Sequence, residues 1–162
     1  MNERLNIRDA NPDDLEDIRE LNRQIFEYEF EQCEKTSNVE YPDQHDGTKY
    51  YLQLVYRLDG FVAFVAEIHG KVVGYAGVRL VPDTELTHRN NVKLAQLHTL
   101  SVDKEFRNKG IGRALIDRSV AFAQKSGANR MRVIAYALND RARHLYRAVG
   151  FTESEIVHEM PI

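Results

Sequence analysis

Arg107-Asn108-Lys109-Gly110-Ile111-Gly112 separates an apolar, strand-like run, Leu94 to Val102, from an amphipathic stretch, Arg113 to Ala123. Strand, glycine-bearing turn and helix is an arrangement that aims free backbone N–H groups at a phosphate. Glycine permits the backbone dihedrals and close approach that such a turn needs. Arg107 and Lys109 add positive charge at the same place. A Walker loop is excluded, because Gly112 is followed by Arg113 and Ala114 rather than by Lys and Ser or Thr. A dinucleotide fingerprint is excluded too, since Gly110-x-Gly112-x-x-Leu115 closes on a bulky leucine. What is left is R-x-x-G-x-G, a phosphate-loop pattern that an ordinary tight turn can also produce.

Outward from this loop the chain reads as one domain spanning residues 1–162. A chain of this size buries roughly two-thirds of its unfolded surface without disulfides. With 43% apolar and 29% charged residues, its composition is that of a soluble globular protein. No apolar run approaches the roughly 20 residues of a membrane span, and the N-terminus leads into no apolar signal core. The single cysteine, Cys33, has no internal disulfide partner, which fits a reducing cytoplasm. Charge is uneven along the chain. Residues 1–50 hold 14 acidic and 6 basic side chains, and the remainder hold 11 and 16. The glycine loop therefore lies in the basic part. The acidic part either lines a pocket for a cation or forms solvated helix faces.

Periodicity places a first strand over Arg4 to Arg8 and a helix over Pro12 to Tyr28, capped by Asp13 or Asp14. Glu29 to Gly47 reads as a loop and Thr48 to Arg57 as a second helix. Phe61 to Glu67 and Val72 to Val81 flank His69-Gly70, which predicts a β-hairpin. Val92 to Val102 is the fourth strand and Met131 to Tyr136 the fifth. Gly127 ends the helix that follows the glycine loop. Asn139 caps one more helix, which stops at Gly150. Phe151 to Ile162 holds at least one further strand. This order predicts an α/β chain with one mixed sheet and helices on both faces.

Two motifs fall on matching elements. The first is Leu100-Ser101-Val102, four spacers, then Arg107-x-x-Gly110-x-Gly112. The second is Asn139-x-x-Ala142-x-x-Leu145-Tyr146-x-x-x-Gly150-Phe151. With this element order, the chain resembles the GNAT superfamily of N-acetyltransferases over nearly its whole length. The resemblance implies a strongly twisted mixed sheet whose fourth and fifth strands splay apart to admit acetyl-CoA. By it, the backbone of Asn108, Lys109, Gly110, Ile111, Gly112 and Arg113 would cradle the pyrophosphate beside Arg107. Leu100, Ser101 and Val102 would face the pantetheine arm, like an added strand. Asn139 would bind the pantetheine or order the second splayed strand. Tyr146 would sit near the thioester sulfur. Asn139 and Tyr146 are two helical turns apart, so they share a face. A phenol there can protonate the leaving thiolate, and the amide of Leu100 can polarise the thioester carbonyl. The competing role for Tyr146 is that of a core aromatic.

Many members of the superfamily carry a glutamate base on strand four, and this chain has none. His98 has the right unperturbed pKa for a base, and a water chain ending on Glu67, Glu27 or Glu29 is the alternative. The other histidines, at 45, 69, 88, 144 and 158, lack the spacing of a metal site, so no metal is predicted. Glu27, Glu29, Glu31 and Glu34 with Tyr28, Tyr50 and Tyr51 would suit a small cationic amine such as a polyamine or aminoglycoside. The alternatives are a peptide N-terminus or lysine, or a non-catalytic acyl-CoA-binding module. No basic run with interleaved aromatics favours nucleic acid. An exposed last strand would allow a homodimer.

Overall fold

The apolar run ahead of the glycine loop is strand β4, Leu94–Val102, and the helix behind it is α3, Ile111–Lys125. The computed structural model describes residues 4–162. Ahead of β4 come β1 (Asn6–Asp9), α1 (Leu15–Gln32), α2 (His45–Tyr56), β2 (Phe61–Ile68) and β3 (Lys71–Leu80). After α3 come β5 (Arg130–Val133) and α4 (Asp140–Ala148). The strands form one sheet in the order β1-β2-β3-β4-β5, antiparallel except for β4 and β5. His69 and Gly70, both at positive φ (51° and 78°), make the tight β2–β3 turn that the sequence predicts.

Two apolar layers enclose the sheet. Ile18 and Leu21 of α1, with Tyr51 and Leu54 of α2, pack on Ala63, Val65 and Tyr75. On the other face Leu115 and Ile116 of α3 pack on Phe64, Ala76, Val78, Ala95 and Leu97. Alternation along each strand sends successive side chains to opposite layers, which is why both helix pairs find an apolar floor. Ser101 ties α1 to the sheet: its hydroxyl donates to the carbonyl of Leu21 at 2.8 Å.

Several boundaries differ from the sequence expectation. Asn11, not Asp13 or Asp14, is the first cap. Its side chain accepts from the Asp13 amide, and Asp14 answers by accepting from the Asn11 amide, both at 2.8 Å. Asp14 is buried and takes a bidentate pair from Arg8. Burial pushes its carboxyl up, but the Arg8 guanidinium and the Asn11 amide outweigh that and hold it below the usual range. Helix α1 runs on to Gln32, because nothing from Glu29 to Gln32 breaks a helix. Helix α2 starts at His45 and accommodates Gly47, where a Cβ would collide with the Tyr41 carbonyl oxygen. Strand β5 stops at Val133 rather than at Tyr136. Residues 151–162 form no strand, although Ile156, Val157 and Met160 give them a strand-like composition. A strand needs a neighbour, and that segment meets none in the sheet. No helix among the described residues is long and apolar enough to cross a membrane.

Candidate active site

β4 and β5 pair over only four positions, Leu94↔Arg130 to Leu97↔Val133. Beyond them β4 continues for five residues with no partner on that side. The strands splay there, and a cavity of about 630 Å³ opens between them, walled by α1, the start of α3 and α4. The amide of Asp103 reaches back to the carbonyl of Val73 at 2.9 Å. Backbone groups of an antiparallel strand alternate sides, so those of Leu100 and Val102 face away from β3 and into the gap. The carbonyl of Val102 is already used, accepting from Arg107 Nε at 2.9 Å.

One end of the cavity is built for an anion. Gly110 is the N-cap residue of α3 at φ 80°, a left-handed conformation that favours glycine, and no side chain caps the helix. The amides of Ile111, Gly112 and Arg113 therefore lack intrahelical acceptors and carry the positive end of the helix dipole. Gly112 serves a different purpose: a Cβ there would press on Leu145 at 3.1 Å, so its bareness lets α3 approach α4. Arg107 lines the same end. Burial, and then the cation of Arg141, lower the pKa of its guanidinium. Lys109 lies outside the cavity lining, with its ammonium 5.0 Å from the Phe106 ring centroid. The Ile111 side chain belongs to the core and leaves only its backbone to the cavity. Likewise the Ser101 side chain is spent on Leu21, so any ligand contact falls to its backbone.

Arg141 lines this end and went unnoticed in the sequence. Its guanidinium sits 4.4 Å from the Tyr28 ring centroid, across the cavity from α4 to α1. A signal was available: Arg141 occupies the first turn of α4, where a cation opposes the helix dipole.

The other end holds the titratable groups. Asn139 caps α4 by accepting from the Ala142 amide at 3.1 Å, and both Asn139 and Tyr146 line the cavity. Among the described residues nothing hydrogen-bonds the Tyr146 hydroxyl, while its ring meets Phe151 edge-on at 5.8 Å. Burial, and then the Glu29 charge, push its pKa up to about 12. It is therefore a protonated donor at neutral pH. Glu29 lines the cavity opposite, and burial raises its carboxyl pKa.

His98 faces the cavity for a reason that strict alternation misses. Gly77 pairs with Thr99 and Val78 with Leu97, so His98 is the extra residue of a β-bulge. Side-chain parity changes there. Leu97 and Leu100 pack with α3, while both His98 and Thr99 meet Tyr50 of α2. The His98 ring lies 5.0 Å from Tyr50 and 5.6 Å from Phe61. It is open to the cavity yet closely surrounded, and desolvation, followed by the Arg79 charge, lowers its pKa. It is neutral at pH 7 and free to accept a proton.

Most of the acid-and-tyrosine set read from the sequence does not reach the cavity. Tyr50 and Tyr51 are buried core residues, bonded to Thr99 and Asn22 at 2.7 Å. Glu67 pairs with Arg8 at 2.9 Å, away from the cavity. Glu27 and Glu31 are exposed, and Glu34 caps its own turn at Thr36. Only Tyr28 and Glu29 of that set line the site. Cys33 is half-buried, and burial and Glu29 raise its thiol pKa, which disfavours a nucleophile. No group of three metal-ligating side chains comes together among the described residues.

Residues 15–151 match the model of the acetyltransferase (GNAT) family. An uncharacterized N-acetyltransferase of Methanocaldococcus jannaschii is 28% identical over 151 residues, covering 93% of this chain and 62% of the relative. N-acetyltransferase 8 of Mus musculus is 36% identical over 112 residues, covering 69% of this chain and 46% of the relative. The chain thus spans roughly half of these relatives' length. Among solved structures, a Bacillus halodurans protein superposes with TM-score 0.86 at 22% identity, covering 97% of this chain and 99% of that one. The aminoglycoside acetyltransferase AAC(6')-Iy, bound to a bisubstrate analog, superposes with TM-score 0.74 at 19% identity, covering 98% of each chain. These likenesses agree with the splayed sheet and the two motifs, and the chain belongs to the GNAT family of acetyltransferases.

Proposed function

We propose that this chain moves an acetyl group from acetyl-CoA to a small primary amine by direct attack within a ternary complex. The observation that carries the proposal is the convergence of three features on one cavity: the uncapped α3 N-terminus, the unpaired β4 edge and the Tyr146 hydroxyl. Acetyl-CoA, when bound, supplies an acetyl thioester. The α3 amides, Arg107 and Arg141 hold its phosphates. The backbone of Leu100 and Val102 extends along its pantetheine arm. The Leu100 amide donates to the thioester carbonyl oxygen, where negative charge grows during attack.

Proton traffic falls to three side chains. A primary amine arrives as an ammonium, which the Glu29 carboxylate attracts. The neutral imidazole of His98 takes the proton that the nitrogen must lose. Tyr146 donates its proton to the sulfur as the C–S bond breaks. The likeness to aminoglycoside acetyltransferases supports a small-molecule acceptor.

Calorimetric titration with acetyl-CoA, followed by thiol release on adding a pooled amine library, tests the proposal. Binding with thiol release is the expected result. Binding without release from any amine contradicts transfer, and absence of binding contradicts the phosphate site.

A further inference from the structure

Next to His98, on the sheet face that bears α1 and α2, one row of the sheet runs Arg79–Gln96–Arg132 across β3, β4 and β5. Arg79 has a counter-ion, with Glu85 accepting from both of its terminal nitrogens at 3.1 and 2.7 Å, although its Nε, like that of Arg132, is buried without an acceptor. Among the described residues Arg132 has no carboxylate partner. Its Nη2 donates to the neutral amide oxygen of Gln96 at 3.0 Å. A half-buried guanidinium that lacks a counter-ion is costly to keep. With its oxygen engaged, the Gln96 amide also turns its NH₂ group outward as a further donor.

The row adjoins the reaction site. Leu97, His98 and Val133, the strand neighbours of Gln96 and Arg132, line the cavity. Gln96 stands two residues from His98, roughly 7 Å along β4. Gln96 and Arg132 stand just outside the cavity lining, so an acceptor whose nitrogen meets His98 reaches them by extending along β4. The planar fork of arginine matches two carboxylate oxygens.

We infer that Arg132, assisted by Gln96, binds a carboxylate on the acceptor, so that the preferred acceptor is an amine that also bears an anionic carboxylate group. The inference rests on the transferase reading and narrows its substrate class. Glu29 then meets the ammonium end of the acceptor and Arg132 its carboxylate end. An acceptor that is cationic throughout would place positive charge against the uncompensated arginine.

The test is a matched series on the full chain. ω-Amino acids of increasing chain length are compared with their ω-amino amides, which differ only in lacking the negative charge. Thiol release from acetyl-CoA gives kcat and KM for each. The expected result is a kcat/KM at least tenfold higher for one or more amino acids than for the matched amides, carried by KM. Arg132→Gln keeps an NH₂ donor on a shorter side chain and loses the charge. It should erase that preference through KM, and Arg132→Lys should restore part of it. Equal use of acids and amides overturns the inference while leaving the transferase reading intact. An equal fall in both series for Arg132→Gln assigns Arg132 a merely structural role and also overturns it. Release with neither series nor any pooled amine overturns the transferase reading, and the inference with it.

Discussion

The two ends of the cavity are built by opposite strategies. At the phosphate end, neighbours in sequence do the work: Arg107, Gly110 and the first amides of α3 lie within seven residues. At the acceptor end the chemistry comes from distant segments. Glu29 arrives on α1, His98 on a bulge of β4 and Tyr146 on α4. A local device depends on backbone conformation, so it survives changes elsewhere in the chain. A dispersed one depends on strand register, and a single-residue slip would turn His98 to the other face.

Breaking the acceptor end should cost chemistry and leave donor binding intact. Tyr146→Phe removes the proton for the sulfur, and kcat should fall by about 100-fold or more. The acetyl-CoA Kd should stay within about twofold, which stopped-flow turnover alongside calorimetry would establish. Equal losses in both would instead make Tyr146 a packing residue.

His98→Gln sharpens the same contrast through pH. A base must be neutral to accept a proton, and the His98 pKa lies below its ordinary 6.5. In the wild type, where the amine arrives as an ammonium and neutral His98 takes its proton, kcat/KM rises with pH below 6.5 as His98 deprotonates and then levels off. The variant, lacking that base, depends on amine that is already deprotonated, so its kcat/KM should be lower at neutral pH and keep rising toward the amine pKa. A pH profile unchanged in shape would remove His98 from the mechanism and leave Glu29 as the remaining candidate base.

The phosphate end should fail in the reverse manner. Arg141→Ala should weaken acetyl-CoA binding by about tenfold, as expected for loss of a charge-assisted bond. The affinity should also become less salt-sensitive, while kcat at saturating donor holds. Titrations at two ionic strengths decide this. A smaller effect is expected for Gly110→Ala. Its φ of 80° should cost about 1 kcal/mol of stability, visible as a lower thermal midpoint, with donor binding weakened as the loop relaxes.

Acid stability gives the smallest signal. The folded His98 pKa lies below the unfolded 6.5, so the unfolded chain binds protons first. Stability supported by neutral His98 is present above pH 6.5 and is lost as pH falls from there through the folded pKa. His98→Gln should flatten that part of the unfolding curve, measured by denaturant titration at several pH values.

The same contrast explains what the sequence disclosed. The hairpin at His69-Gly70, the strand–loop–helix around Gly110 and the Asn139–Tyr146 pair are local patterns, and the structure has all of them in place. Periodicity located the helices because each buries one face, and apolar, β-branched runs located the central strands, which are buried on both. Such patterns failed where the answer depends on a partner. Residues 151–162 look like a strand but lack a neighbour, and the polar end of α1 stays helical because nothing stops it. Strict alternation placed His98 with Gln96 and Leu100, whereas the bulge keeps it with Gln96, adds Thr99 and turns Leu100 to the α3 face. The acidic side chains of the first fifty residues read equally as a pocket or as solvated faces, and among the described ones all but Glu29 serve caps, ion pairs or solvated faces. Arg132 carried no signal of its own, because its meaning comes from facing Gln96 across the sheet.

Amide NMR during titration with acetyl-CoA tests the central claim most directly, that the donor is held in the splay between β4 and β5. The account predicts the largest shifts at the amides of residues 108–113, with accompanying shifts at Leu100 and Val102 and little change along β1. Saturable binding that moves amides elsewhere and leaves residues 108–113 still would contradict it.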